Sequence, residues 1–115
     1  MGLSTHILDT NLGKPAANVE IQLFQWHDNV AGGAWEQIGS GRTDADGRCR
    51  TLLGDRLLQA LDYKLRFITA VYFHDLKTET LYPDIEIAFT VRDPGSHYHI
   101  PLLLTANGYT TYRGS

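Results

Sequence analysis

Alternating apolar and polar residues predict a chain built from short β-strands. The clearest run is 85–92, where every second residue from Ile85 is apolar and lies on one face. Residues 63–71 alternate in the same way. Residues 19–26 are apolar on both faces, as expected of a central strand or of a strand covered by a partner. Further runs of strand length are residues 3–9, 35–43, 48–53, 98–104 and 109–113.

Turn-forming residues separate these runs at short intervals. They occur at residues 13–15, 29–33, 44–47, 93–96 and 106–108. Seven or eight strands separated in this way predict a mainly β fold, a two-layer β-sandwich. Two segments have helical character: 55–61, which is short enough to be a turn, and 71–79, which Pro83 separates from the next strand.

Composition narrows the function classes. The length of 115 residues predicts a single domain over 1–115, and 43% hydrophobic with 20% charged residues is typical of a globular chain. A net charge of −3 without a basic run argues against a nucleic-acid partner. No apolar run is long enough for a membrane span, and no secretory leader is apparent, so the cytoplasm is the expected compartment. The single cysteine, Cys49, excludes an internal disulfide.

Two of the histidines occupy one face of a predicted strand. The five histidines are His6, His27, His74, His97 and His99. His97 and His99 point away from the core face that carries Tyr98. Leu103 is an apolar residue on the same outer face, so we expect another subunit to bury it. The two imidazoles are either solvated strand residues or bases that take a proton from water near neutral pH. A zinc site with His6 as third ligand is a further alternative, although no acidic residue follows closely in sequence.

The segment Asp44-Ala45-Asp46-Gly47-Arg48 resembles a calcium loop only superficially. It lacks the length, the flanking helices and the terminal Glu of such a loop, so a tight turn with Gly47 at positive φ is predicted. Arg48 opens the following strand, where its guanidinium either clamps an anion or carbonyl or lies in solvent. Cys49 is interpreted as a small packed residue and not a nucleophile.

The chain ends with Tyr112-Arg113-Gly114-Ser115, a dense polar group that continues directly from a strand pattern. A frayed tail rarely adjoins such a pattern, so we predict that the terminal segment, His97 to Ser115, is ordered and functional. The pattern alone also allows a solvated hairpin end.

These residues carry a family resemblance. His97-Tyr98-His99-Ile100-Pro101-Leu102-Leu103-Leu104 and the closing residues 108–115 resemble the C-terminal signature of the 5-hydroxyisourate hydrolases, transthyretin-like enzymes of urate breakdown. Residues 3–9, 13–17 and 43–48 also match, as does Phe89, so the resemblance covers essentially the whole chain. The closing Tyr-Arg-Gly-Ser is what separates these enzymes from transthyretin, the hormone carrier.

The resemblance implies a transthyretin-type two-sheet β-sandwich of about eight strands with one short helix, placed near residues 72–78. It implies a homotetramer, a dimer of dimers, with active sites where the dimers meet, and a reaction without cofactor or metal. The implied catalytic residues are His6, Arg48, His99 and Ser115. The implied substrate-binding residues are His6, Arg48 and Tyr112.

The implied reaction is hydrolysis of 5-hydroxyisourate to 2-oxo-4-hydroxy-4-carboxy-5-ureidoimidazoline. His6 and His99 suit removal of a proton from the attacking water, and Arg48 suits stabilisation of the developing oxyanion. Two alternatives stay open at this point. One is a transthyretin-type binding protein for a small aromatic ligand, and the other is a zinc hydrolase built on His6, His97 and His99.

Overall fold

The computed structural model describes residues 2–115; Met1, part of the predicted 1–115 domain, lies outside the described residues. Over this range the chain forms nine strands and one helix. The strands are β1 (Gly2–Asp9), β2 (Lys14–Pro15), β3 (Glu20–His27), β4 (Ala34–Arg42), β5 (Arg48–Cys49), β6 (Asp62–Ile68), β7 (Ile85–Thr90), β8 (His97–Thr105) and β9 (Gly108–Thr111), and the helix is α1 (Thr69–Asp75).

The strands form two sheets. One has the order β2-β1-β8-β9, with β5 also pairing with β1, and the other has the order β4-β3-β6-β7. The predicted mainly β fold with two sheets and one short helix is therefore confirmed. Strand β3 is interior to its sheet, in agreement with its apolar residues on both faces.

The core lies between the two sheets and is built from the residues that alternation assigned to it. On β8, Tyr98 and Leu102 are buried, while His99 and Leu103 on the opposite face are half-buried. The facing sheet contributes the fully buried Leu23 of β3. The period of two along each strand thus separates a packed inner face from an outer face that carries polar side chains.

Pairing between β1 and β8 brings the two ends of the chain together. These strands run parallel, with Gly2 opposite His97 and Asp9 opposite Leu104. The short strand β5, from the middle of the chain, pairs antiparallel with the other edge of β1. One sheet therefore collects residues from the beginning, middle and end of the sequence.

Two strand predictions were inaccurate in extent. The predicted strand over residues 48–53 pairs only at Arg48–Cys49, because the chain then crosses over β4. A Cβ on Gly39 of β4 would lie 2.1 Å from the Leu52 carbonyl oxygen, so only glycine permits this approach. The short strand β2, Lys14–Pro15, was not predicted, since it lies in a segment that the sequence indicated as a turn.

The helix lies three residues earlier than predicted. Residues 72–78 were expected, but α1 spans Thr69–Asp75 and follows β6 directly, because Thr69 and Phe73 form one buried helical face. It ends where Lys77 adopts a φ of 56°, and the Thr78 amide donates to the Phe73 carbonyl, as in a Schellman motif. No helix within residues 2–115 is long and apolar enough to cross a membrane.

Candidate active site

The outer face of the β1 sheet carries a cluster of basic side chains. His6 on β1 is the direct partner of Arg48 on β5 and of Pro101 on β8. His99 is the direct partner of Ser4, two residues before His6. Partners across a ladder point to the same face, so His6, Arg48 and His99 converge there. All three are half-buried.

A tight hairpin holds both His6 and Arg48. The Asp44 carboxylate accepts the amide hydrogens of Asp46 at 2.9 Å and Arg48 at 3.0 Å. These bonds lower the pKa of Asp44, with the Arg48 amide as the largest cause, so the carboxylate is ionised at neutral pH. Gly47 has the predicted positive φ, 76°, and a Cβ there would lie 2.5 Å from the Ile7 carbonyl oxygen. The tight-turn interpretation is therefore confirmed.

The hairpin also determines which nitrogen His6 presents. His6 Nε2 lies 2.9 Å from the Asp46 carbonyl oxygen. Since a carbonyl oxygen only accepts hydrogen bonds, Nε2 carries the proton. Neutral His6 therefore has its lone pair on Nδ1.

His99 is positioned by a hydrogen bond to Ser4 of β1. Its Nδ1 lies 2.8 Å from the Ser4 hydroxyl, which leaves Nε2 for a ligand. Burial lowers the pKa of His99 below its ordinary value of 6.5, and the charges of His6, His97 and Arg48 lower it further. Hydrogen bonding to the Ser4 backbone acts in the opposite direction. His99 is consequently a neutral imidazole at neutral pH, the form that accepts a proton.

The terminal segment is tied to β8, as predicted for an ordered end. The Gly114 amide donates to the His99 carbonyl at 2.8 Å. The Arg113 guanidinium lies 4.2 Å from the centre of the Tyr98 ring. Gly114 packs so closely that a Cβ there would lie 2.5 Å from His99 Cδ2. Ser115 is therefore the residue immediately after the contact with His99, and it is exposed.

Tyr112 lies away from this cluster within the single chain. It lines a cavity of about 300 Å³ between the edge strands β7 and β9, together with Phe89 and Tyr98. Tyr98 points to the core face of β8, opposite to His99. The structure thus brings together His6, Arg48 and His99 and leaves Tyr112 on the other side of the sheet. Ser115 directly follows Gly114, which contacts His99.

Two further sequence interpretations concern metals and the cysteine. Within residues 2–115, no group of three or more His, Cys, Asp or Glu side chains is arranged to hold a metal ion. His97 Nε2 and His99 Nδ1 instead both lie 2.8 Å from the Ser4 hydroxyl. Cys49 is buried in the core, as predicted for a small packed residue.

The sequence did not lead us to predict Ser4 and Gly114 as residues of this site. A signal for Ser4 was present, because a residue two positions before His6 shares its face in a strand. Nothing local indicated Gly114, whose close approach to His99 depends on how the terminal segment folds back along β8.

Comparison with known proteins places the chain in a family. Residues 3–114 match the sequence profile of the HIUase/Transthyretin family. The chain belongs to this family. It is 44% identical over 113 residues to the 5-hydroxyisourate hydrolase of Salmonella dublin, covering 98% of this chain and 80% of that protein.

Solved structures of the HIUase/Transthyretin family have the same fold. The chain superposes on the 5-hydroxyisourate hydrolase of Klebsiella pneumoniae with a TM-score of 0.83 and 32% identity, covering 100% of both chains. It superposes on transthyretin from Sparus aurata with a TM-score of 0.87 and 32% identity, covering 97% of this chain and 95% of that one. Backbone similarity therefore does not distinguish a 5-hydroxyisourate hydrolase from a transthyretin within the family, so the side chains of the site must do so.

Proposed function

We propose that this protein hydrolyses 5-hydroxyisourate to 2-oxo-4-hydroxy-4-carboxy-5-ureidoimidazoline, a step of purine catabolism. The observation that carries the proposal is the convergence of His6, Arg48 and His99 on one face of the β1 sheet. The name borne by the 44% identical relative supports the choice of substrate. Two imidazoles and a guanidinium suit the hydrolysis of a cyclic amide, whose transition state needs a base and a fixed positive donor.

In the proposed mechanism, His99 Nε2 takes a proton from a water molecule as its oxygen attacks the ring carbonyl. His6 orients this water through Nδ1. Arg48 donates to the carbonyl oxygen as negative charge develops on it. The carbon–nitrogen bond then breaks, and His99 Nε2 returns the proton to the leaving nitrogen. The net change is addition of one water, and His99 ends neutral.

Arg48 suits the oxyanion because its guanidinium is always charged and its backbone is fixed. The Asp44 carboxylate fixes the Arg48 amide at 3.0 Å, and pairing with His6 fixes the strand. A fixed backbone limits the positions that the guanidinium can take, so little rearrangement is needed as charge develops. Burial, then the charges of His6 and His97, and finally that of Arg48 lower the pKa of His99, which keeps that base neutral.

The assembly we propose is a homotetramer, a dimer of dimers, with the sites between subunits. The support is that His6, Arg48, His99 and the apolar Leu103 are only half-buried on the sheet face of one chain. A second subunit on this face would exclude water and strengthen the electrostatic contacts. Tyr112 and Ser115 are assigned to the same site. Tyr112 would then reach substrate from another subunit.

Sedimentation velocity tests the assembly. We expect a tetramer for the natural chain and smaller species for Leu103→Glu, which places a charge on the covered face. The exposed Leu57 supplies a matched control, Leu57→Glu, which should remain tetrameric. A monomeric natural chain would refute the assembly.

The cytoplasm remains the predicted compartment of the protein.

The decisive experiment follows the absorbance of freshly prepared 5-hydroxyisourate, which decays slowly without catalyst. Added protein should accelerate the decay, and absence of acceleration would overturn the proposal. His99→Ala and Arg48→Ala should each lower kcat/KM by roughly 100-fold or more while the tetramer persists. His74→Ala and Arg50→Ala, at exposed positions outside the cluster, are matched controls and should retain activity.

Metal dependence is tested on the same preparation. The proposed reaction needs no metal and no cofactor, so chelators should leave the rate unchanged. Stoichiometric zinc together with activity lost to chelators would instead favour the zinc hydrolase built on His6, His97 and His99.

A second candidate function is ligand carriage. It is favoured by the TM-score of 0.87 with the Sparus aurata transthyretin, which slightly exceeds that with the Klebsiella pneumoniae hydrolase. Calorimetric titration with a small aromatic ligand distinguishes the two functions. Tight binding that survives Arg48→Ala, without any effect on 5-hydroxyisourate decay, would support the carrier.

A further inference from the structure

Ser4 occupies an unusual position between two imidazoles. Its hydroxyl oxygen lies 2.8 Å from His99 Nδ1 and 2.8 Å from His97 Nε2. Ser4 is on the outer face of β1, yet it is only 7% exposed, whereas His97 is exposed and His99 half-buried. The three residues therefore form a hydrogen-bonded chain that runs from the candidate active site to solvent.

Proton counting restricts this chain to two arrangements when both rings are neutral. A serine hydroxyl has one hydrogen, and the two imidazoles are the only hydrogen-bond partners of the Ser4 hydroxyl within residues 2–115. Ser4 therefore donates to one ring and accepts from the other. If Ser4 donates to His99, then His99 carries its proton on Nε2 and has no lone pair for catalysis. If Ser4 donates to His97, then His99 carries its proton on Nδ1, and Nε2 is a free base.

The role of His99 in the proposed hydrolysis favours the second arrangement. A base must present a lone pair to the attacking water, and only a proton on Nδ1 leaves that lone pair on Nε2. His97, at the solvent end, tolerates either tautomer because water both donates to and accepts from its Nδ1.

We propose that Ser4 and His97 are positioning residues that hold the proton of His99 on Nδ1 and thereby keep Nε2 available as the base. The inference rests on the proposed hydrolysis, in which Nε2 takes the proton of the attacking water. During that reaction the Nδ1 hydrogen stays bonded to Ser4, which stabilises the imidazolium. Ser4 and His97 neither gain nor lose a proton in the cycle. A wrong tautomer at a catalytic imidazole is costly even where the ring position is unchanged.

Long-range ¹H–¹⁵N correlation spectra of the imidazole nitrogens, recorded above the pKa of His99, test the proposal directly. In the natural chain we expect the His99 proton on Nδ1. Removing the acceptor in His97→Ala frees the Ser4 hydroxyl to donate to His99, so the proton should move to Nε2. Ser4→Ala should leave a mixture of the two forms.

The kinetic readout accompanies the spectra. Ser4→Ala and His97→Ala should lower kcat by roughly 10-fold or more with little change in KM, because they alter the base and not substrate contacts. Ser4→Thr keeps the hydroxyl and should retain most of kcat. The matched control is Thr5→Val, which removes a buried hydroxyl bonded to the Ile100 carbonyl on the core face and should leave the tautomer unchanged.

Failure of this inference is distinguishable from failure of the proposed function. A natural chain that accelerates 5-hydroxyisourate decay with His99 protonated on Nε2 would overturn the inference alone. A loss of kcat equal to that of Thr5→Val, with an unchanged tautomer, would also overturn it. Because His97 is exposed, His97→Ala keeps the test open even if Ser4→Ala fails to fold.

Discussion

Gly114 packs against the imidazole of His99, so closely that a Cβ on Gly114 would lie 2.5 Å from Cδ2. The same two residues are joined through their backbones, since the Gly114 amide donates to the His99 carbonyl at 2.8 Å. The terminal segment therefore holds the His99 ring, the proposed base, in place. This contact explains why residue 114 is a glycine.

Gly114→Ala should lower kcat/KM by roughly 10-fold or more, because either the ring or the terminal segment must shift by more than an active site tolerates. The melting temperature should change little, since the contact lies at the chain end. Gly108→Ala is the control, as a Cβ there meets only Thr105 Oγ1 at 3.6 Å. Natural activity in Gly114→Ala would show that this packing is irrelevant to the site.

The acid limb of the kcat/KM profile should lie below pH 6.5. Burial and neighbouring positive charges lower the pKa of His99 from that value, so the neutral base persists to lower pH than in a free histidine. Arg48→Gln removes one of these charges and should raise the pKa of His99. Titration of the His99 ring by NMR measures this directly, and a midpoint at or above 6.5 in the natural chain would refute the prediction.

The same shift affects folding stability. The unfolded chain, with an ordinary His99, takes up a proton before the folded chain does as the pH falls through 6.5. The free energy of unfolding therefore decreases as the pH drops below 6.5, and the contribution of His99 to it is constant at higher pH.

Asp44→Ala should reduce kcat/KM several-fold, because it removes the acceptor that fixes the amides of Asp46 and Arg48. The hairpin would then hold both the His6 ring and the Arg48 backbone less firmly. Asp44→Asn retains a side-chain oxygen acceptor and should have a smaller effect. Steady-state kinetics on the two variants, with equal effects or none, would contradict this role.

Tyr72→Phe should destabilise the fold by about 1–3 kcal/mol, because a buried carboxylate loses a hydrogen-bond donor. The Tyr72 hydroxyl donates to Asp9 Oδ2 at 2.6 Å and connects α1 to β1. Burial and then Asp9 raise the pKa of Tyr72, so the phenol stays protonated as a donor. Urea unfolding should show the loss, whereas kcat/KM should be unchanged. Tyr109→Phe, at a 44% exposed side chain, is the control.

Much of the fold was predictable from local pattern. Alternation along β8 correctly placed Tyr98 in the core and His99 on the outer face, because the pleat of a strand imposes a period of two. The helix was misplaced by three residues, because the alternation of β6 runs directly into α1 without a breaking residue. The helix ends just before Lys77, which has a positive φ, and the glycine that usually indicates such an end is absent from this position.

Local sequence pattern did not predict which residues become neighbours in the candidate site. The sequence alone determined the strands, the faces of their side chains and, through the terminal signature, the family to which the chain belongs. The tertiary structure decided that Ser4 meets His97 and His99, residues 93 and 95 positions away, and that Arg48 stands beside His6. The physical reason is that periodicity specifies which face a side chain occupies, whereas strand order and register, set by packing of the whole core, specify its neighbours.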